Sequence, residues 1–598
     1  MYKNGLIKIE LSSPDIKICN PFINAEKILK VIDLSLSSFV LFPELCLSSY
    51  SAGDLFFKTD FLEENIKALE WLINNTSFQG IYILGIPLVI NALIFNVAVI
   101  IQNKRILGIV PKKTIPNYKE FNEKRWFQSG KNFYQTEIIL LGQKVPFGDI
   151  LFINKEFDLI FGVEICQDLW TIESPSDLLV LNGAHIIFNL SSSVEHIGKT
   201  EQRLMAVINH SRKQIGGYFY TSSGITESST DVVFSNHKIA AVLGQLIGEK
   251  HLFDQDVSLV VDVCLDSIKN QRMVDTTYGD QIINKFFKFQ KVNFQLKETK
   301  KYIFENNLDC LPFIPNNNLS KQLKIADMLQ VYSLQNKLNY LPKVKVILNI
   351  TNSIQDFLSL MVVYKVFLNL KKDLNNLIII LPYYEFSDIN HFKKIKQFLK
   401  QLEINNIVKT VSILKENHSL LLNSEKNILR DVDNKDIFDK KNLFLATYNL
   451  SDIALGKIKI QFFYDYIYNV NVGISNTFMQ KLFLYNLEFD DLNMDSELKK
   501  IYLSKANDLL QEKIIIEDFI LYYFLFKGLK KDKIAWFLKE VFNFDSKKSL
   551  KLVNDYLQKF YKSQHKRQYI SPGPKILDNS LSSRTEFKLP LDFEINQN

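Results

Sequence analysis

The chain has 598 residues, too many for one ordinary domain, and its 47% hydrophobic and 23% charged residues are the composition of a globular protein. A net charge of only +7, with lysines interleaved among acids, reads as a solvated surface and argues against a nucleic-acid groove. The five cysteines (Cys19, Cys46, Cys166, Cys264, Cys310) lie far apart with no CxxC pair, which argues against a zinc knuckle or redox dithiol and fits a reducing compartment.

The first residues, MYKNGLIKIELSS, lack the apolar core of a signal peptide, so a cytoplasmic protein is expected. From there to about residue 284, short β-branched runs alternate with helical patterns. Strands are predicted in LIKIELSS, SFVLFPEL, IYILGIPL, NVAVIIQ, LIFGVEIC, AHIIFNLS, GGYFYTSS and VSLVVDVC. Helices are predicted in NAEKILKVIDLSLSS, FLEENIKALEWLINN and KTEQRLMAVINHSRKQ. The alternation predicts an α/β domain over 1–284 with a largely buried sheet. The apolar run LGIPLVINALIFNVAVII is broken by Pro87, Asn91 and Asn96, so it reads as strands and not as a membrane span. Residues 285–320 are polar and irregular and are read as a linker. A second α/β block over 321–598 has predicted strands in KVKVILNI, NLIIILPY and KNLFLATY and helices in FLSLMVVYKVFLNL and INHFKKIKQFLKQLEI. Glu512 to Lys562 reads as helical, and a tail containing Pro and Gly follows.

Three residues stand where chemistry is possible. Cys166 ends the buried run LIFGVEIC; a nucleophile on a turn at a strand tip has backbone N–H groups beside it for an oxyanion. Partial ionisation by a nearby lysine and a base would suffice to activate it. Glu44 ends SFVLFPEL among Phe, Pro and Leu, where desolvation raises a carboxylate toward general-base values. Lys112 follows a strand in GIVPKKTIPNYKEFNEKRWF, where a fixed ammonium polarises a carbonyl. Each has an ordinary reading as well: a buried structural thiol, a loop acid, one lysine among many.

Together, FPELCLSSYSAGDLF, PKKTIPNYKEFNEKRWF and FGVEICQDLW resemble, in order and spacing, the Glu, Lys and Cys motifs of the nitrilase superfamily. More narrowly they are similar to the glutaminase domain of glutamine-dependent NAD synthetases. The resemblance continues through NLSSSVEHIGKTEQR and YTSSGITESSTDVVF. It implies a nitrilase-like α-β-β-α sandwich with Cys166 as nucleophile, Glu44 as general base and Lys112 as oxyanion stabiliser, the lysine chosen over Lys113 by its distance from Ile115. It also implies that Tyr118, Ser193 and Arg203 line the glutamine pocket, with no metal and no cofactor. Gln167 stands where the family has Glu, and Val194 where it has Asn.

The resemblance implies that residues 321–598 form an adenine-nucleotide-hydrolase-like doubly wound parallel sheet with a helical tail, in which an SGG.DS loop grips pyrophosphate. Small residues are needed there because backbone must approach phosphate closely. The chain instead reads Thr351, Asn352, Ser353, Ile354, Gln355, Asp356: both glycines are gone, and Gln355 holds the Asp position. LPYYEFSD and KNILRDVDN depart from their family counterparts too. ATYNLSDIALGKIKI keeps Thr447, Asn449 and Ser451, and HKRQYISPGPKI keeps the family tail. The expectation is an intact glutaminase beside an impaired synthetase, with ATP and Mg bound only if that half is active. Glutamine, possibly deamido-NAD and ATP, and further copies of the chain in a homo-oligomer are the implied partners. Two other readings stay open: a stand-alone nitrilase-superfamily amidase with a scaffold C-terminal half, and a non-catalytic assembly partner of an active synthetase.

Overall fold

The computed structural model describes residues 2–131, 133–252, 254, 257–282, 287–305, 308–315, 317–351, 353–382, 389–405, 407–410, 439–458, 464–489, 494 and 496–592. The chain divides into two compact units, Met1–Asn307 and Leu308–Asn598.

The first unit holds two seven-stranded sheets. One runs Tyr2–Lys3, Leu6–Ser12, Phe39–Leu41, Ile81–Ile90, Leu93–Gln102, Arg105–Pro111, with Ser258–Cys264 paired onto Leu6–Ser12. The other runs Gln245–Lys250, Lys238–Val242, Gly217–Ser222, Ile186–Ser191, Leu159–Ile165, Ile150–Asn154, Gln290–Asn293. Successive strand residues face opposite sides, so each strand feeds two layers. Inward residues of both sheets, among them Ile9, Phe39, Ile83, Phe161 and Phe188, make one continuous core. Outward residues Val40, Tyr82 and Val99 receive Ile28, Ile32, Leu69 and Leu72 from helices Pro21–Leu34 and Thr59–Asn75. On the far side, Ile187 and Tyr218 receive Leu179, Val180 and Val207 from helices Pro175–Leu181 and Lys199–Lys213. The result is an α-β-β-α sandwich.

The segment 285–320, read from the sequence as a linker, is in part structural. Gln290–Asn293 pairs in parallel with Ile150–Asn154, and Phe294 and Leu296 enter the inter-sheet core. QKVN is too short and too polar to announce itself as a strand. The hairpin Lys238–Val242 and Gln245–Lys250 also went unpredicted, because its second strand is half-exposed and mixed in polarity.

The second unit carries a five-stranded parallel sheet in the order Ile407–Thr410, Leu377–Pro382, Val346–Asn349, Leu443–Leu445, Tyr466–Tyr468. Strand order reverses at Val346–Asn349, so the crevice of this doubly wound sheet lies at the carboxyl ends of Val346–Asn349 and Leu443–Leu445. The helices of the tail are Glu512–Leu521, Lys531–Phe542 and Ser546–Lys562. The tail motif is a packing element. Arg567 is buried and donates to the Ala454 carbonyl (3.0 Å), and a Cβ on Gly573 would stand 1.9 Å from the Asn469 carbonyl oxygen. Among the described residues no helix is long and apolar enough to cross a membrane.

Candidate active site

Cys166 is the first residue after the Leu159–Ile165 strand and opens the short turn Cys166–Trp170. Its φ of 47° lies in the left-handed region, which costs a non-glycine residue about 1 kcal/mol or more. Neighbouring polar groups hold it there. The Cys166 N–H donates to Asn189 Oδ1 (3.2 Å). The buried Asp168 carboxylate accepts the N–H groups of Ile165 (3.3 Å), Lys113 (3.4 Å) and Thr114 (2.8 Å), which ties the turn to the segment after Arg105–Pro111.

That segment starts with Lys112, which is wholly buried. Its Nζ donates to Glu44 Oε1 at 2.6 Å and to Glu123 Oε1 and Oε2 at 2.7 and 2.8 Å. Glu44 follows the strand Phe39–Leu41 on a loop pressed against the Ile81–Ile90 strand. A Cβ on Gly85 would meet the Leu45 nitrogen at 2.2 Å, so only glycine admits the loop there. Asn96 Nδ2 donates to the same Glu44 oxygen (2.7 Å), and the Tyr50 hydroxyl donates to Glu123 Oε1 (2.8 Å). Glu44 Oε2 is buried with no partner, leaving one acceptor open inside the site.

One buried ammonium therefore serves two buried carboxylates. Glu123 grips it with both oxygens and Glu44 with one. Burial pushes Glu44 up to about 7, Lys112 pulls it down, and Glu123 raises it again. For Lys112 burial opposes the charge, but Glu123 and Glu44 outweigh it and hold the ammonium above its ordinary range. The Cys166 thiol is pushed up to about 12, first by burial and then by the Glu44 charge, against the pull of Lys112. Lys112 is engaged by both acids, so its pull on the thiol is shared with two carboxylates.

The other candidates separate. Tyr118 is 49% exposed and donates its hydroxyl to Gln167 Oε1 (2.8 Å), beside the nucleophile. Ser193 lies just past the Ile186–Ser191 strand; its N–H donates to Ser222 Oγ (2.9 Å). Arg203 is fully buried and largely committed. It donates to Glu195 (3.1 Å), to His237 Nδ1 (2.8 Å) and to the Val194 carbonyl (3.2 Å), and only its Nε lacks a partner. Lys199, first residue of the Lys199–Lys213 helix, is half-buried with its ammonium 4.4 Å from the Trp170 ring, at the end of the Cys166 turn. Burial, then Arg203, lowers its pKa.

Sequence reasoning missed Glu123, Asn96, Asp168 and Lys199. Glu123 lay within the quoted lysine motif. Asn96 was noticed only as a break in an apolar run, although a polar residue facing the core of a strand asks for a partner.

In the second unit, Thr351 donates its N–H (2.9 Å) and its hydroxyl to the Asp356 carboxylate, and Thr447 Oγ1 donates to Asp356 Oδ1 (2.5 Å). Ser353 caps the Ile354–Asn369 helix by accepting the Asp356 N–H (3.2 Å), and the Gln355 carbonyl accepts from Asn471 Nδ2 (3.1 Å). The Asp356 carboxylate thus occupies the Thr351 and Thr447 donors of this loop. Asn352 lies outside the described residues, as do residues 383–388 of LPYYEFSD and the whole of KNILRDVDN. Among the described residues no three His, Cys, Asp or Glu side chains are grouped to hold a metal ion.

The carbon-nitrogen hydrolase family matches residues 24–268. The glutamine-dependent NAD(+) synthetase of Mycobacterium tuberculosis (strain ATCC 25618 / H37Rv) is 25% identical over 99% of this chain and 97% of its own length. The enzyme of the same name from Aquifex aeolicus (strain VF5) is 30% identical over 44% of each chain. Among solved structures, glutamine-dependent NAD+ synthetase from Acinetobacter baumannii in complex with adenosine diphosphate aligns over 98% of both chains, with 16% identity and a TM-score of 0.37. Along nearly its whole length the chain is similar to proteins named glutamine-dependent NAD(+) synthetase, and its residues 24–268 match the carbon-nitrogen hydrolase family.

Proposed function

We propose that the N-terminal unit hydrolyses the side-chain amide of glutamine to glutamate and ammonia at Cys166, with Glu44 as base and Lys112 as the counter-charge to the oxyanion. The observation that carries this reading is Glu44 itself: Oε1 is fixed by Lys112 and Asn96, while Oε2 stays buried and open. Glu44 takes the thiol proton as Sγ bonds to the amide carbon. The oxyanion forms beside Lys112 and the backbone N–H that follows Cys166. All three Nζ protons already point at carboxylates, so a direct bond to the oxyanion requires Lys112 to release one of its two contacts with Glu123. The C–N bond then breaks, and ammonia leaves with the proton returned by Glu44. Water, deprotonated by the same carboxylate, cleaves the thioester to glutamate and the free thiol.

Tyr118 and Ser193 belong to the substrate pocket in this reading. The substrate carboxylate meets Lys199 rather than the committed guanidinium of Arg203. In the full-length relatives the ammonia serves NAD(+) synthesis, and for this chain the corresponding reaction is amidation of deamido-NAD with ATP and Mg in the second unit. The carboxylate of Asp356 on the loop donors supports a weakened ATP site, and no step is routed through it here. Homo-oligomeric assembly in the cytoplasm completes the reading. One paired assay tests it: ammonia release from glutamine, abolished in Cys166→Ala, and NAD formation from deamido-NAD and ATP in the same sample. Absence of ammonia release from the unmodified protein overturns the glutaminase reading. NAD formation at a rate matching ammonia release overturns the weakened synthetase.

A further inference from the structure

Glu164 is a buried acid that the amide chemistry does not use. It sits two residues before the nucleophile on the Leu159–Ile165 strand, on the face turned away from the inter-sheet core, and it pairs in register with Asn189 of the neighbouring strand. Its Oε1 accepts the Tyr218 hydroxyl, and its Oε2 accepts the Ser176 N–H (2.8 Å). The Tyr218 oxygen accepts from Asn189 Nδ2 (3.0 Å). Asn189 Oδ1 accepts two donors, the Cys166 N–H (3.2 Å) and the Ser191 hydroxyl (2.8 Å). Every member is buried.

We infer that Glu164, Tyr218 and Asn189 form a positioning relay that holds the nucleophile turn in its left-handed conformation, so that Glu164 sets the rate of the amide chemistry without touching substrate. The direction of each bond follows from its partner. The ionised Glu164 carboxylate only accepts, so the tyrosine donates to it. The tyrosine oxygen is then left to accept, which turns the Asn189 amide so that its oxygen faces Cys166. Reversing any one link would present an N–H to the Cys166 N–H. In a low-dielectric layer each bond strengthens the next, so the links act as a unit. The Cys166 φ of 47° needs such a hold, because nothing in a cysteine favours that conformation. Burial raises the Glu164 carboxyl to about 7, with Asp168 adding to it, so the relay spends burial on a charge the site does not otherwise need.

The relay rests on Cys166 being the nucleophile, and the test keeps the two apart. Steady-state ammonia release from glutamine is measured for the full chain and for Cys166→Ala, Glu164→Gln, Tyr218→Phe and the Glu164→Gln/Tyr218→Phe double variant, with thermal melting of each. Each single variant is expected to lower kcat by about tenfold with KM within about twofold, and the double variant to be no slower than the slower single. If Glu164→Gln does not fold, Asn189→Ala replaces it in the same cycle with Tyr218→Phe. Additive losses, a change in KM alone, or unchanged kcat in folded variants overturns the relay. If the unmodified protein releases no ammonia, it is the glutaminase reading that fails.

Discussion

Alkylation of Cys166 as a function of pH tests whether the site stores a thiolate or makes one on demand. With the thiol pushed up to about 12 and Glu44 to about 7, the resting proton belongs to sulfur. At about pH 8 a free peptide thiol of pKa about 8.5 is roughly one-quarter ionised, whereas Cys166 is ionised to roughly one part in 10,000. A more basic thiolate is also the better nucleophile, and a Brønsted slope of about 0.4–0.5 returns about 25- to 60-fold of that deficit. Iodoacetamide should therefore modify Cys166 about 40- to 100-fold more slowly than the peptide thiol. The rate should rise about tenfold per pH unit with no plateau up to about pH 10. Mass spectrometry of the Cys166 peptide against an added reference peptide reads this directly. Turnover of glutamine should follow a different curve. Glu44 must be ionised to accept the proton, so kcat/KM falls as pH drops through about 7 and levels above it. A plateau in Cys166 alkylation below about pH 8 would mean a preformed ion pair with Lys112, and the concerted transfer to Glu44 would be wrong.

Replacing Lys112 with Met leaves Glu44 and Glu123 buried without a cation, which abolishes turnover and costs about 3–5 kcal/mol of stability. Without the pull of Lys112, Glu44 is held further above its unfolded pKa, so the native state binds more protons. The deficit is small in acid and grows as pH rises, and urea melts at about pH 5.5 and pH 8 should show it. Asp168→Ala strips the acceptor from three backbone N–H groups and should lower stability by about 2–4 kcal/mol while reducing kcat, read by denaturation and ammonia assay. Lys199→Met should raise KM for glutamine about tenfold and leave that for butyramide, which lacks a carboxylate, within about twofold; equal changes for both amides refute the assignment. Asp356→Ala frees the Thr351 and Thr447 donors, so calorimetry with pyrophosphate should show binding in the variant and none in the unmodified chain.

The sequence made the first site readable because its chemistry sits at strand ends. Cys166 and Glu44 each close an apolar run, and Lys112 follows one, so each charge or thiol was visible against hydrophobic neighbours. Glu123 was not, because it stands in KEFNEKR among other charges, where only burial tells the one structural acid from its solvated neighbours. Arg203 is the converse case. A motif placed it at the substrate, while the fold gives most of its donors to Glu195, His237 and the Val194 carbonyl. Partner competition is a property of three dimensions, and no spacing rule reports it.

The same competition governs the second unit. In sequence the strand–helix loop lacks two glycines and an aspartate in register. Its structure shows something a deletion count could not, since Asp356 turns back onto Thr351 and Thr447 and occupies their donors. The Thr351 N–H and the Thr351 and Thr447 hydroxyls converge on a carboxylate that the chain itself supplies. Glycine loss alone would leave a poor phosphate cradle that mass action could still fill. An internal carboxylate at hydrogen-bond distance competes with any incoming anion for the same donors. Glu44 and Asp356 therefore mark opposite solutions to the same problem of a buried carboxylate. One keeps an oxygen open for a reaction, and the other closes both of its oxygens on the loop around it.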